Sequence, residues 1–385
     1  MNFNTKVIHG NQHYEQITGA VMPPIFNTST FAQKSPGKHS GYEYSRAGNP
    51  TRQALEDCLA SIENGARGLA FASGLAATDC VMKLFKSSDE IIATDDLYGG
   101  TFRMFTKLYE PLGLKFHFVD FNDTEKFKAT FNENTKLVWA ETPTNPLMKL
   151  VDIEKTASIC KEKKVLFAVD NTFATPYLQQ PLNLGADIVM HSATKYLGGH
   201  SDVIAGALVI KEQELGEKLH FLQFASGGIL GPNDSYLVLR GIKTLAIRME
   251  RHCENGEKVA EYLNEHPLVK HVYFPGLQTH PNFSLAQKQM HKGFGGMVSF
   301  TFKSNKKEDA ITFLENLKIF TLAESLGGVE SLANHPTLMT HASIPEKRRL
   351  EQGITDDLIR LSVGIEDIND LLNDLSQAFN TLINK

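Results

Sequence analysis

The sequence has few of the features that mark secreted, membrane-bound or nucleic-acid-binding proteins. Its four cysteines, Cys58, Cys80, Cys160 and Cys253, are widely spaced without a CxxC pair, which predicts free thiols in a reducing compartment. The net charge is −5 and the pI about 6.3, so no basic surface for nucleic acid is expected. No apolar run approaches the roughly 18 residues of a membrane span, and residues 1–16 lack the apolar core of a secretory signal. We therefore expect a cytoplasmic protein without a nucleic-acid or membrane partner.

The length and composition are those of an ordinary globular protein with more than one domain. The 385 residues are 42% hydrophobic and 22% charged, and a chain of this length is long for one core. Residues 1–50 contain few periodic segments and include the proline- and hydroxyl-rich stretch 22–31, which predicts an extended arm lying on a neighbouring subunit. We expect a large domain over residues 51–250 and a smaller α+β domain over 251–385.

The large domain shows the alternation of an α/β fold. Short β-branched runs alternate with amphipathic helical segments, which is typical of βαβ units and a mostly parallel sheet buried on both faces. One long helical stretch follows at 235–266. The segments expected as strands are 68–73, 90–95, 115–121, 136–142, 165–170, 186–192, 203–210, 297–302 and 358–364. The segments expected as helices are 52–63, 74–86, 99–112, 152–163, 176–185, 309–317 and 367–383.

The ends of the predicted strands carry the residues that could do chemistry, because such sheets bind ligands beyond the carboxyl ends of their strands. The turn at Ser73 and Gly74 opens a helix, which suits a phosphate or a plain helix cap. Tyr98 precedes two glycines and could stack on a flat ring or pack on the surface. Asn145 lies between two prolines, where it could orient a ligand or end a turn.

Two further strand ends point more sharply to a cofactor. Asp170 ends an apolar run, where a carboxylate is costly without a partner. It is either a turn cap or the partner of a protonated ring nitrogen, which pyridoxal phosphate (PLP) requires. Lys195 follows another buried strand, close to the hydroxyls of Ser192 and Thr194. It is either a surface lysine or a nucleophile that burial has activated. Together these residues supply a phosphate cradle, a ring stack, a nitrogen partner and an amine.

The motifs resemble those of the PLP enzymes of cysteine and methionine metabolism. The resemblance covers nearly the whole chain and implies an aspartate-aminotransferase-like fold, with a large PLP domain whose sheet is of the seven-stranded type. Its motifs, in chain order, are YSRxGNPT (44–51), FASGLAAT (71–78), DxYGGT (96–101), ETPTNP (141–146), VDNTF (169–173), SATKY (192–196), GHSDV (199–203) and RLSVGIED (360–367).

This resemblance implies roles for the matching residues. Lys195 resembles the lysine that holds the cofactor's aldehyde and later moves protons, Asp170 the ring-nitrogen partner, and Tyr98 the stacked tyrosine. The phosphate cradle is matched by Gly74 and Leu75 through their backbone and by Ser192 and Thr194 through their side chains.

Further positions match the groups that bind the substrate and the neighbouring subunit. Arg360, with Asn145 and Ser325, resembles the clamp for a substrate α-carboxylate, a task suited to a bidentate guanidinium. Tyr44 and Arg46 resemble the pair that reaches the phosphate of the neighbouring subunit, which implies a homotetramer built from two catalytic dimers. No metal is implied.

Two positions distinguish the members of the family. Gly100 stands where methionine γ-lyases usually have a cysteine. Glu324 stands where those enzymes have an aliphatic residue and β-lyases usually an aromatic one, and it resembles cystathionine γ-lyase and γ-synthase. Glu324 could pair with a distal ammonium group and Arg103 with a distal carboxylate, although an exposed helix glutamate is the plain alternative. We therefore expect an amino-acid substrate and α,γ-elimination of cystathionine, with γ-replacement on an acylhomoserine as the alternative. A methionine or homocysteine γ-lyase and a cystathionine β-lyase are weaker candidates.

Two other classes of protein fit the sequence less well. A dinucleotide-binding dehydrogenase on the same sheet needs GxGxxG after its first strand, whereas this chain has SGLAAT there. A non-catalytic scaffold with a decayed site is disfavoured because the full set of site residues is present.

Overall fold

The computed structural model describes residues 1–12, 14–342 and 344–383. In these ranges the regular structure consists of two β-sheets with helices packed around them. None of the helices in these ranges is long and apolar enough to cross a membrane. All four cysteines are buried free thiols.

The N-terminal segment contains one short helix that the sequence did not predict. Helix α1 (Phe3–His9) buries Val7 in the core beneath the first sheet. Apart from isolated bridges, the described part of residues 10–49 has no helix or strand. This stretch is tied to the start of α2 (Pro50–Glu63), where Thr51 Oγ1 donates to the Pro24 carbonyl and accepts from Phe26 N, both at 2.9 Å. The segment is largely extended, and it is anchored on its own chain at both ends.

The first sheet has seven strands in the order β1-β7-β6-β5-β4-β2-β3. All are parallel except β7, which pairs antiparallel with β1 and β6. The mostly parallel sheet that the pattern predicts is thereby confirmed. The strands are β1 (Arg67–Phe71), β2 (Glu90–Thr94), β3 (Lys115–Val119), β4 (Thr135–Glu141), β5 (Leu166–Asp170), β6 (Ile188–Ser192) and β7 (Gly206–Ile210).

Helices cover both faces of this sheet, which explains why its strands are almost continuously apolar. Separate hydrophobic clusters lie on the two faces. Helix α4 continues through a π-helical turn to a short 3₁₀ turn that ends at Leu112, so the predicted helix over 99–112 is irregular. The six-residue α5 was not predicted, because so short a segment shows little periodicity. The helices are α3 (Gly74–Met82), α4 (Gly99–Met104), α5 (Thr124–Ala129), α6 (Ile153–Lys163) and α7 (Thr175–Leu178).

The helical stretch after the first sheet is divided into three helices. These are α8 (Gln213–Ser226), which was not predicted, α9 (Pro232–Ile242) and α10 (Leu245–Glu265). The single helix expected over 235–266 is interrupted because Arg248 reaches back across the break. Its guanidinium donates to the carbonyls of Gly241 and Tyr196, both at 2.8 Å. The guanidinium thus adds a side-chain donor at the end of α9, where the Gly241 carbonyl also accepts from Thr244 N at 3.1 Å, and it fixes the loop that follows Lys195.

The second sheet has five strands in the order β10-β11-β12-β9-β8. Its apolar face packs on helices through a cluster of aromatic rings that includes Phe300, Phe313 and Phe379. The predicted strands at 297–302 and 358–364 correspond to β9 and β12, and the predicted helices to α12 and α14. The elements are β8 (Val269–Tyr273), α11 (Phe283–Gln289), β9 (Met297–Phe302), α12 (Lys307–Glu315), β10 (Thr321–Leu322), β11 (Leu332–Asn334), α13 (Glu346–Gln352), β12 (Ile359–Ser362) and α14 (Ile368–Ile383).

Helix α10 joins the two halves of the molecule. It packs against α1 and α7 on one side and against β8, β9 and α14 on the other. Asn255 donates from Nδ2 to the carbonyls of Gly364 and Glu366, at 3.0 and 2.9 Å. These bonds hold the loop after β12, and with it the end of the second sheet, beside the first. The proposed domain boundary at residue 250 falls within α10, and the division at residues 50 and 250 stays a prediction.

Candidate active site

A pocket of about 890 Å³ opens between the carboxyl ends of the first sheet and the β10–β12 region of the second. Most of the site residues predicted from the sequence line it, whereas Tyr44, Arg46 and Arg103 do not. The predicted residues that line it are Gly74, Leu75, Tyr98, Asn145, Asp170, Ser192, Thr194, Lys195, Glu324, Ser325 and Arg360.

The turn between β1 and α3 meets the end of β6 at one wall of the pocket. Ser73 caps α3, its hydroxyl accepting from Ala76 N at 3.0 Å. A Cβ added at Gly74 would lie only 3.1 Å from Ser192 Cβ, so a side chain at this position would crowd Ser192. The first backbone N–H groups of α3 and the Ser192 side chain therefore face the same small space, which is an arrangement that suits a phosphate.

The segment after β6 presents a buried amine. Lys195 Nζ donates to Ser325 Oγ at 2.8 Å. Burial, and secondarily the Arg360 charge, lowers the pKa of Lys195 to about 8, so a substantial fraction of the amine is neutral near that pH. The preceding Thr194 hydroxyl is engaged with Ala205, accepting from its N at 3.0 Å and donating to its O at 3.1 Å.

Asp170 is buried at the end of β5 and is held by a neighbour that sequence reasoning missed. Asp170 Oδ1 accepts from Thr172 N at 3.1 Å and from Thr172 Oγ1 at 2.5 Å. The Thr172 hydroxyl also accepts from Ser192 N at 2.9 Å, so it links the two strand ends. Burial raises the pKa of Asp170, and the Thr172 bonds partly offset this. Because these partners are neutral, a cationic ring nitrogen would supply the charge that the carboxylate lacks.

Tyr98 lies at the pocket mouth with its ring folded over Gly100. A Cβ at position 100 would lie 2.4 Å from Tyr98 Cε1, so the ring occupies the space that a side chain there would fill. Burial raises the pKa of the Tyr98 phenol, the Arg103 charge lowers it and the Glu324 charge raises it. Arg103 and Glu324 thus act on Tyr98 electrostatically, although Arg103 itself is exposed outside the pocket lining.

Arg360 is buried at 2% exposure and bridges the two sheets. Its Nη1 donates to Asn145 Oδ1 and its Nη2 to the Ser325 carbonyl, both at 2.8 Å. The Nε–H is also buried but has no partner within the described chain, and such a donor calls for a ligand. Burial lowers the pKa of Arg360 to about 10, so the guanidinium stays charged. The predicted clamp for a carboxylate is thus assembled in one place.

Tyr44 and Arg46 lie elsewhere on the surface. Arg46 Nη1 donates to the Phe224 carbonyl at 3.0 Å, and its guanidinium lies over the rings of Phe224 and Tyr44, 5.1 and 5.5 Å from their centroids. Arg52 holds the backbone of residues 45 and 46, because its guanidinium donates to the carbonyls of Ser45 and Arg46 at 2.8 and 3.2 Å. This pair therefore contributes nothing to the pocket of its own chain.

Two more buried carboxylates, both missed in the sequence, lie at the ends of the neighbouring strands. Glu141 ends β4 and is the register partner of Asp170, while Asp96 follows β2 and accepts from Thr144 Oγ1 at 2.5 Å. Burial and the neighbouring Asp170 hold the pKa of Glu141 well above its usual range, and burial raises that of Asp96 to about 6. An acid at the end of a buried run is the signal that identified Asp170, and it applies equally to Glu141.

The pocket fits PLP. The close approach of Gly74 to Ser192 provides a phosphate cradle in which a Cβ at Gly74 would be crowded, and Asp170 provides the ring-nitrogen partner. Lys195 provides the amine for the aldehyde, and Tyr98 a ring for stacking. PLP supplies an electron-accepting ring and an aldehyde, which are the two properties that these residues match.

Comparisons with known proteins agree with this fit. The model of the Cys/Met metabolism PLP-dependent enzyme family matches residues 4–380. A Bacillus subtilis protein named cystathionine gamma-lyase is 54% identical over 382 residues, 99% of this chain and 100% of the relative. A Coxiella burnetii protein named cystathionine beta-lyase is 54% identical over 379 residues, 98% of this chain and 97% of the relative. The crystal structure of cystathionine gamma-lyase from Lactobacillus plantarum complexed with L-serine superposes with a TM-score of 0.97 at 48% identity and covers 100% of both chains.

The acidic strand ends predict an unusual pH dependence of stability. The pKa of Asp96 is raised from 3.8 to about 6, so folding favours its protonated form. Its contribution to stability is therefore full below pH 4 and is lost as the pH rises to 6. Asp96→Asn should stabilise the cofactor-free protein by roughly 2 kcal/mol more at pH 7 than at pH 4. Urea unfolding at both pH values measures this difference, and a pH-independent effect of the substitution would contradict the assignment.

Proposed function

Because the chain belongs to the family of Cys/Met metabolism PLP-dependent enzymes, we propose that it is a cystathionine lyase. Its proposed reaction is α,γ-elimination of L-cystathionine to L-cysteine, 2-oxobutanoate and ammonia. Relatives from B. subtilis, Dictyostelium discoideum and cattle that carry the name cystathionine gamma-lyase support this assignment.

The observation that carries the choice of substrate is the position of Glu324. Its carboxylate lines the pocket and raises the pKa of both Lys195 and Tyr98. A negative charge at the pocket wall, apart from the Arg360 clamp, suits a substrate with an ammonium group at each end. Cystathionine is such a substrate, since Arg360 can hold one α-carboxylate while Glu324 pairs with the distal ammonium.

The residues of the chain divide the work between binding and proton movement. When bound, PLP supplies an aldehyde for the substrate amine and a ring that takes up the charge left when Cα loses its proton. Arg360 and Asn145 hold the substrate α-carboxylate, and Asp170 holds the ring nitrogen in its cationic form. With the substrate held in this way, Lys195 Nζ would be the base that takes up the Cα proton.

Two groups are suited to move protons. Lys195 has a pKa of about 8, so its neutral Nζ can accept the Cα proton near neutral pH, and the charged Nζ can return a proton later. The pKa of Tyr98 is raised by burial, so its Oη keeps its proton at neutral pH. That proton is available for the departing thiolate, which leaves as a thiol.

A β-lyase is the second candidate, because the similar proteins from Coxiella burnetii and Lactococcus lactis carry that name. The two reactions cut cystathionine on opposite sides of the sulfur, and a pocket open at the mouth admits either orientation. Replacement of the γ-substituent of an acylhomoserine by cysteine uses the same residues up to departure of the γ-group. Methionine and homocysteine lack the distal ammonium that Glu324 would bind.

The arm supports the proposal of a catalytic dimer, with a tetramer built from two. Tyr44 and Arg46 lie away from the pocket of their own chain, and Tyr44 is 46% exposed. Arg52 fixes the backbone that presents them. A guanidinium held on the surface in this way suits the phosphate in a neighbouring subunit.

Product analysis tests the reaction. With L-cystathionine, the protein should release cysteine and 2-oxobutanoate, measured by mass spectrometry. Homocysteine and pyruvate would instead show the β-lyase reaction, and activity only with acylhomoserine plus cysteine would show the synthase.

Lys195→Ala should lower turnover by at least about 100-fold and abolish covalent fixation of PLP by borohydride. Lys155→Ala, at an exposed lysine outside the pocket, is the control and should retain both.

Glu324→Ala tests the distal ammonium site. The substitution should raise KM for cystathionine roughly 3- to 10-fold, because one charge pair at a partly solvated position is lost. KM for O-acetylhomoserine, which has no distal ammonium, should change little. Glu324→Gln, which keeps the shape without the charge, should behave as Glu324→Ala does, and equal changes for both substrates would remove the proposed role.

Mixing of inactive subunits tests the shared site. Arg46→Ala should weaken PLP binding, and Lys195→Ala should be inactive for a different reason. When the two are coexpressed, a mixed dimer contains one site with a native Lys195 and a native Arg46 from its neighbour. Activity should therefore recover well above that of either variant alone, measured as 2-oxobutanoate release. No recovery in isolated mixed oligomers would contradict a site that is completed across the interface.

A further inference from the structure

Glu141 makes two contacts that connect separate parts of the pocket. Its side chain is 4% exposed and lines the pocket at the end of β4. Glu141 Oε2 accepts from Tyr98 N at 2.8 Å, and Glu141 Oε1 accepts from Asn145 N at 3.1 Å. One carboxylate thus holds the backbone of the residue proposed to stack on the ring and of a residue proposed to bind the substrate.

Asn145 is held through its backbone N–H, its carbonyl and its side-chain oxygen, and Glu141 is the group that accepts its N–H. The Asn145 carbonyl accepts from His341 Nε2 at 3.0 Å, and its Oδ1 accepts from Arg360 Nη1 at 2.8 Å. His341 is fully buried, and burial lowers its pKa to about 4, so it is a neutral donor. The orientation of the side chain that meets Arg360 therefore depends on a backbone that Glu141 fixes.

The position of Glu141 is costly for the protein. Glu141 and Asp170 are register partners on neighbouring parallel strands, so their side chains lie side by side on one face of the sheet. Two buried carboxylates at this spacing repel each other. A glutamine would relieve the repulsion, but its amide has one oxygen and could accept only one of the two N–H groups. Only a carboxylate has two oxygens that can serve both Tyr98 and Asn145.

We propose that Glu141 is a positioning residue that sets the ring stack and the carboxylate clamp together, by holding the backbone of Tyr98 and of Asn145. The proposal rests on the roles proposed above for those two residues. Both the affinity for PLP and the preference for a substrate carboxylate then depend on Glu141.

Asp374 provides a matched control elsewhere in the chain. It is 3% exposed on α14 and accepts from the backbone N–H groups of Lys318, Ile319 and Phe320 at 2.8, 2.8 and 2.9 Å. It is likewise a buried carboxylate that accepts several backbone N–H bonds, but it lies outside the pocket lining. Asp374→Asn therefore reports what the loss of such a carboxylate does when the bonds to Tyr98 and Asn145 are kept.

The experiment compares Glu141→Gln and Asp374→Asn with the wild type by two binding measurements. The first titrates the cofactor-free protein with PLP and follows the absorbance. The second titrates the PLP-loaded protein with glycine, which has a carboxylate, and with methylamine, which has none. Loss of one buried hydrogen bond corresponds to a change of up to about 10-fold in a binding constant. For Glu141→Gln we expect about 10-fold weaker PLP binding and about a 10-fold lower preference for glycine over methylamine.

Asp374→Asn should show native values in both titrations and a lower midpoint of thermal unfolding. Native PLP affinity, or a native preference for glycine, in Glu141→Gln would overturn the proposal, because the two effects must appear together. If Glu141→Gln does not fold, Glu141→Asp decides. It keeps the charge but is one methylene shorter, so it should impair both properties, and native values would overturn the proposal. A wild-type protein that takes up no PLP would instead overturn the proposed function.

Discussion

A buried guanidinium joins the two sheets at the pocket, and the rest of the site depends on it. Arg360 on β12 donates to Asn145 Oδ1 from the loop after β4 and to the Ser325 carbonyl after β10, both at 2.8 Å. A buried charge must be compensated, so these contacts are strongly preferred over any alternative arrangement. Because the two acceptors belong to different halves of the molecule, the same charge sets how the second half sits over the pocket. Its Nε–H is buried without a partner in the described part of the chain and is left for an anionic ligand.

Around this cation the protein separates charges of opposite sign. Three acids, Asp96, Glu141 and Asp170, are buried at strand ends of the first sheet, and two cationic groups, Lys195 after β6 and Arg360 on β12, line the pocket. Burial shifts the pKa of each group toward its neutral form, and the mutual repulsion of the acids and of the two cations adds to the shift. Such an arrangement is electrostatically complementary to a ligand that is cationic at its ring nitrogen and anionic at its carboxylate. It disfavours the empty protein and favours the occupied one.

Much of the fold could be predicted from the sequence, because strands buried on both faces are continuous apolar runs and need no partner to be recognised. Several of the elements that were missed, such as α1, α5 and β10–β11, are short and acquire their stability from packing. Helix α8, with 14 residues, was missed although it is not short. The break at residues 243–244 was missed for a different reason, since it depends on Arg248 reaching the carbonyls of Gly241 and Tyr196. Periodicity contains no information about such a contact.

The sequence alone was enough to predict which residues form the centre of the site and which cofactor they bind. Lys195, Asp170 and Tyr98 follow strand ends, and the order of the motifs identifies the family and hence the cofactor. Which of the remaining motif residues are placed to act indirectly, by positioning other residues, became apparent only from the tertiary structure. Thr172 and Glu141 lie within the motifs VDNTF and ETPTNP, yet Thr172 also meets Ser192, and Glu141 meets Tyr98, at the ends of other strands. Such contacts form only when the sheet brings distant segments together, and local sequence cannot specify which backbone N–H a carboxylate will meet.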